Sequence, residues 1–101
     1  MRTILSQLLL VGLLISGFQQ LHAQDCEALF SFDDTDLTIQ FTDLSTSATG
    51  DPIVSWLWDF DDGTTSTQQN PLHTFPDPDK YDVVLTITTA SGCTAELEIR
   101  I

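Results

Sequence analysis

An all-β fold, a β-sandwich of about seven strands, is what this sequence predicts, on three observations. Residues 81–89 alternate without a break, with Tyr81, Val83, Leu85 and Ile87 on one side and Asp82, Val84, Thr86 and Thr88 on the other. After Ala90-Ser91-Gly92, residues 93–101 alternate again, Cys93, Ala95, Leu97, Ile99 and Ile101 against Thr94, Glu96, Glu98 and Arg100. A third alternating run, residues 53–60, ends in the tight turn Trp58-Asp59-Phe60-Asp61-Asp62-Gly63. A period of two belongs to half-buried strands, and short strands separated by turn residues describe a sandwich. No stretch of residues 24–101 sustains a helical period.

The first 23 residues stand apart from that fold. Arg2 is a basic start, residues 4–18 are largely apolar, and residues 19–24 are polar, with Ala23 as a small residue at a cleavage position. This is the layout of a secretory signal peptide. The apolar run is short for a bilayer span, which takes about 20 residues, and it lacks a basic stop-transfer flank. Asp25 directly before Cys26 opposes a lipidation site. Cleavage after Ala23 leaves residues 24–101 as one small domain with no membrane span, secreted to the extracellular space, the cell surface or the periplasm.

Within that domain, residues 27–32 form a short strand with Ala28, Phe30 and Phe32 on one face. Residues 33–36, Asp-Asp-Thr-Asp, are a turn. Leu37, Ile39 and Phe41 alternate with Thr38, Gln40 and Thr42 in a second strand. Residues 43–52 have turn composition and no period, which reads as a loop. In residues 53–60, Val54, Trp56, Trp58 and Phe60 share one face, and Ser55, Leu57 and Asp59 the other. Residues 64–74 are polar, with Asn70-Pro71 as a turn and Leu72 and Phe75 marking a short strand. Residues 76–80 form another tight turn.

Charge and cysteines bound the function. Lys80 and Arg100 stand against 15 acidic residues once Arg2 is removed, a net charge of −13. With no basic patch, binding to nucleic acid or an anionic membrane is excluded as a main role. An acidic surface of this kind is either solvated loops or a place for divalent cations. A domain this small gains from a staple, and Cys26 and Cys93 in an exported chain are its candidates; the alternative is two free thiols. Closing so long a loop implies a stabilisation of about 4 kcal/mol.

Three ordered motifs resemble the PKD domain, an immunoglobulin-like β-sandwich named for polycystic kidney disease. Residues 58–63 match that family's Trp-Asp-Phe-Gly-Asp-Gly turn with one change, Asp61 for glycine. Asn70-Pro71-Leu72-His73-Thr74-Phe75 matches its Asn-Pro-x-His-x-aromatic segment. Tyr81-Asp82-Val83 matches its tyrosine strand, with Asp79-Lys80 where a glycine usually precedes the tyrosine. The resemblance covers residues 26–101. It implies an immunoglobulin-like sandwich in a bacterial secreted or surface protein, and a non-catalytic module that contacts protein or polysaccharide or spaces other domains. It also implies that the first and last strands start side by side, which would pair Cys26 with Cys93.

Each motif residue then has a physical task. Trp58 and Phe60 fill the space between sheets. Asp59 and Asp62 accept hydrogen bonds from turn amides. Gly63 takes a positive φ without steric cost, and Asp61 meets the same demand if its position requires it. His73 is a hydrogen-bonding group near the turn rather than a metal ligand or a catalytic base. Trp56 is either core or a platform on which a sugar stacks. Catalysis lacks a constellation: His73 is the one histidine after residue 24, and no serine has an elbow-type glycine context. Asp61 and Asp62, with Asp33, Asp34 and Asp36 near by, offer hard oxygens that suit Ca2+, although the later ligands of an EF-hand are missing. The thin nitrogen and sulfur inventory disfavours zinc. Calcium-dependent adhesion and carbohydrate binding are the alternatives to a protein-contact or spacer role.

Overall fold

Alternation along residues 82–89 becomes the spine of the domain. Every second side chain of this strand, from Val83 to Thr89, is buried, and Val83, Leu85 and Ile87 are fully so. The computed structural model describes residues 25–33 and 36–101. The leader expected over residues 1–23 lies outside the described residues, as do Gln24, Asp34 and Thr35.

Among the described residues nine strands follow in chain order: β1 (Cys26–Glu27), β2 (Phe30–Asp33), β3 (Thr38–Asp43), β4 (Thr46–Ser47), β5 (Ile53–Asp59), β6 (Thr65–Ser66), β7 (Leu72–Thr74), β8 (Asp82–Thr89) and β9 (Thr94–Arg100). They form a four-stranded sheet β6-β5-β8-β9, a three-stranded sheet β2-β3-β7, and the small pair β1-β4, all antiparallel. The fold is the all-β, immunoglobulin-like sandwich that the sequence predicts. Three of its strands are two residues long and were not separate in the sequence pattern. The stretch 27–32 is split between β1 and β2 because the chain changes partners there. Leu29 leaves the ladder, its N–H donating to Ser45 Oγ at 3.1 Å and its carbonyl accepting the Leu44 N–H at 2.8 Å.

Side chains from both main sheets meet in an aromatic core. Phe30 and Phe41 come from one sheet and Trp58 from the other, with ring centres 4.9 Å apart for Phe30–Trp58 and 5.3 Å for Phe41–Trp58. Phe60 and Phe75 extend the cluster, and Phe75 stacks on Tyr81 at 4.3 Å. Edge-on and offset contacts of this kind suit the ring quadrupoles. The indole N–H of Trp58 donates to the Gln68 carbonyl at 2.9 Å, so burial strands no donor.

One face assignment along β5 is corrected. Val54 was expected to point inward with Trp56 and Trp58, yet it is 57% exposed, and Ile53 packs against the core instead. Ile53 pairs with Thr89 and Ser55 with Thr88, so two steps on β5 answer one on β8. The extra residue is a β-bulge at Val54, which shifts the inward face by one position.

Cys26 and Cys93 are joined by a disulfide, with Cα atoms 6.3 Å apart. It ties β1 to the start of β9. The hairpin before Cys93 is set by Asp51, which accepts the Ser91 N–H at 2.8 Å and the Ser91 hydroxyl at 2.7 Å. The side-chain bond from Ser91 is the largest influence holding the Asp51 carboxyl below its ordinary pKa.

Candidate functional site

The turn after β5 is built by its own carboxylates. Asp59 Oδ1 accepts the Asp61 N–H at 3.0 Å, and Asp62 Oδ1 accepts the Thr64 N–H at 3.0 Å and the Thr64 hydroxyl. Each is a short acidic side chain closing a turn two residues ahead. Phe60 N–H reaches the Thr64 carbonyl at 3.2 Å and closes the loop. Gly63 has φ 87° and Asp61 has φ 62°, both in the left-handed region. The position where aspartate replaces the family's glycine therefore does need positive φ. Asp61 is the one non-glycine residue in that region among the described residues, and its Oδ2 accepts the Asp82 N–H at 3.1 Å. The other departure is different: no residue of 76–80 has positive φ, so Asp79-Lys80 turn the chain without a glycine.

His73 lies against this turn from β7. Its ring stacks on Phe60 at 3.9 Å, and its Nε2–H donates to Asp62 Oδ2 at 2.8 Å. The Asp62 side chain is 4% exposed. Burial pushes the Asp62 carboxyl up, but the bonds from Thr64 and His73 together outweigh it and hold the group below its ordinary value. A depressed carboxyl contributes stability at pH above its unfolded value, and that contribution disappears as pH falls through the folded one. Asp62→Asn is expected to cost about 1–3 kcal/mol at neutral pH, the range for losing hydrogen bonds to a charged group. The gap between variant and wild type should narrow below about pH 4. Urea titrations at several pH values measure it; a gap that widens with acid would contradict the assignment.

Asn70 and Pro71 join the loop to β3. Asn70 Oδ1 accepts the Asp43 N–H at 2.7 Å, and the Pro71 carbonyl accepts the Phe41 N–H at 2.9 Å. Gln40 Nε2 adds bonds to the Asn70 and Pro71 carbonyls. Tyr81 is buried at the start of the β8 segment and its hydroxyl donates to the Asp77 carbonyl four residues back, at 2.9 Å. That is the tyrosine corner of immunoglobulin-like sandwiches. Val83 is core.

Trp56 is half-buried and packs against the core, while its indole N–H donates to Asp43 Oδ2 at 2.8 Å. Gln69 Nε2 donates to the same oxygen at 3.1 Å, and Ser45 N–H to Oδ1 at 3.0 Å. Burial raises the Asp43 pKa, but the bonds from Ser45, Gln69 and Trp56 together outweigh it, so the net direction is down. In the sequence Asp43 opens an aperiodic loop, and no periodicity marks it as a site residue. Its signal was Asp-x-Ser, the pattern in which an acidic side chain caps the amide two residues on.

Asp61 and Asp62, the cation candidates, are directed apart, one to the Asp82 amide and the other to Thr64 and His73. Among the described residues no group of three His, Cys, Asp or Glu side chains is placed to hold a metal ion. Asp33 and Asp36 flank the two undescribed positions. Asp82 is engaged by Arg100 through two bonds, at 2.7 and 2.9 Å, which link the turn to the β8–β9 pair.

Comparison with known proteins agrees with this geometry. The chain is 41% identical over 54 residues to collagenase ColA of Bacillus cereus and 41% identical over 58 residues to a microbial collagenase of Vibrio alginolyticus. Those matches cover 54% and 57% of this chain but 6% and 7% of the collagenases, so the chain spans a small fraction of the curated relatives it matches. The crystal structure of the PKD1 domain of Vibrio anguillarum Epp superposes with a TM-score of 0.73 at 26% identity, covering 77% of this chain and 92% of that one. The PKD1 domain of the Vibrio cholerae metalloprotease PrtV gives 0.71 at 31% identity, covering 76% and 94%. A third structure, described as concerning the promiscuous specificity of carbohydrate-binding modules of the β-sandwich superfamily, gives 0.70 at 26% identity, covering 78% of this chain and 34% of that one. The PKD domain profile matches residues 28–101, and the chain belongs to the PKD domain family.

Proposed function

We propose that this chain is a non-catalytic extracellular module that contacts protein or polysaccharide, or spaces such contacts at the cell surface, with residues 24–101 as the working domain behind a cleaved leader. One observation carries the reading. The acid and base groups of the signature turn are spent on the fold, since Asp59, Asp61 and Asp62 each bond within the domain and His73 is held between Phe60 and Asp62. A side chain so engaged is poorly placed to move a substrate's proton. Family membership supports it, and so do relatives in which the matched region is a small part of a longer enzyme. Retention of the purified chain on insoluble collagen, chitin or cellulose, with no turnover of any of them, is the expected outcome. Turnover that His73→Ala abolishes would overturn the reading.

Carbohydrate binding is the second reading, favoured by the incompletely buried Trp56 and by the structural likeness to a protein described as a carbohydrate-binding module. Stacking on an aromatic ring is worth about 1–3 kcal/mol by analogy with base stacking. Trp56→Ala should then lower retention on chitin or cellulose by about tenfold or more, while leaving collagen retention in place. Equal retention of both proteins removes the sugar platform.

A further inference from the structure

The two long edges of the β8–β9 hairpin differ. β8 lies between β5 and β9, but β9 ends the four-stranded sheet and has no strand on its far side among the described residues. The Thr89 N–H donates to the Cys93 carbonyl and the Ile101 N–H to the Tyr81 carbonyl, so the odd-numbered residues of β9 carry the bonds to β8. Antiparallel ladders alternate, so the backbone groups of Glu96, Glu98 and Arg100 point outward, away from β8. The disulfide pins β1 beside the start of β9, which leaves the stretch from Glu96 onward as the open edge. At seven residues, β9 is also longer than the other terminal strands β2, β6 and β7.

The inner face along this edge is incompletely covered. Val83, Leu85 and Ile87 of β8 are fully buried, whereas Ala95, Leu97 and Ile99, in the same layer one strand over, are half-buried. At its Arg100 end this apolar stripe runs into a recess of about 190 Å³ lined by Ile39, Phe75, Tyr81 and Ile101 and bordered by Asp77 and Asp79. The outer face of the edge carries Glu96 and Glu98.

We propose that the open edge of β9 receives an added strand from a partner protein whose chain alternates apolar and basic side chains. The partner's backbone completes the ladder at Glu96, Glu98 and Arg100. Its apolar side chains cover Leu97 and Ile99 on the inner face, and its lysines or arginines face Glu96 and Glu98 on the outer one. Main-chain bonds supply affinity in this mode and alternate side chains supply choice. Charge selects the occupant. Self-pairing along the full strand sets Glu96 against the other copy's Glu98 and joins two domains of net charge −13, both unfavourable. The inference deepens the contact-module reading and rests on it.

The test uses isotope-labelled protein and an acetylated, amidated peptide of alternating lysine and valine, eight residues long by design, with a glutamate-for-lysine peptide as control. Saturating lysine peptide should slow hydrogen exchange of the Glu96, Glu98 and Arg100 amides by about tenfold or more while leaving Thr65 and Ser66 on the opposite edge unchanged. Glu96→Lys combined with Glu98→Lys, both exposed sites, should weaken that peptide by about tenfold and bring in the glutamate peptide. Unchanged exchange along β9, affinity indifferent to the charge reversal, or a peptide-free dimer with these amides already protected would each overturn the proposal. Retention on collagen or polysaccharide with no protection of β9 removes the edge but keeps the contact module; loss of all retention removes that module itself.

Discussion

Trp58→Ala is expected to cost about 3–5 kcal/mol, the range for deleting a large buried aromatic. Trp58 has no exposed surface and packs with Phe30, Phe41 and Phe60, so its removal opens a void between the two sheets near the end of β5. A domain of this size has a total stability of roughly 4–12 kcal/mol, so the loss is a large share of it. Two effects are mixed in the substitution, the apolar volume and the indole bond to Gln68. Trp58→Phe separates them: it keeps most of the volume and loses the N–H donor, a net cost of about 1–2 kcal/mol. Urea denaturation followed by circular dichroism measures both variants, and the fluorescence of Trp56 reports from the same strand. Equal losses for Ala and Phe would mean that the hydrogen bond dominates, and a loss under about 1 kcal/mol for alanine would mean that Trp58 is not the centre of the core.

How far the sequence was legible depends on whether a side chain or only the backbone carries the structure. β8 and β9 were readable because one face is apolar at every second position, and a register slip would expose it. β4 and β6 were not, since each is the dipeptide Thr-Ser with no apolar side chain to mark it. Their pairing is conferred by neighbours, Cys26 and Glu27 in one case, Trp58 and Asp59 in the other. The bulge at Val54 left no trace because a single extra residue changes no composition. In the turn, the local bonds of Asp59 and Asp62 followed from the spacing alone. Of the distant ones, the bond from His73, 11 residues from Asp62, was legible only through the family resemblance, and that from Asp82, 21 residues from Asp61, was not legible at all. The acidic clusters read as an open choice between solvated loops and cation ligands for the same reason, because a carboxylate's partner is set by folding rather than by its neighbours in the chain.

Opening the Cys26–Cys93 disulfide is expected to cost about 4 kcal/mol, comparable with the loss of Trp58 but by a different route. The cysteines are 67 residues apart, so the bridge restrains most of the domain in its unfolded state. In the folded state it does something more local. β1 has two residues paired with the two of β4, and a two-stranded ribbon that short is not stable unaided. Cys26→Ala with Cys93→Ala removes the bridge without placing a hydroxyl in the buried site of Cys93. If the unfolded state dominates, the urea midpoint falls and the slope m rises, because an unlinked chain exposes more surface when it unfolds. If the folded state dominates, m stays constant and hydrogen exchange quickens first at Glu27 and Thr46, with β8 still protected. A combined loss under about 1 kcal/mol with neither change would refute both routes, leaving the aromatic core between β2, β3 and β5 as the source of the domain's cooperativity.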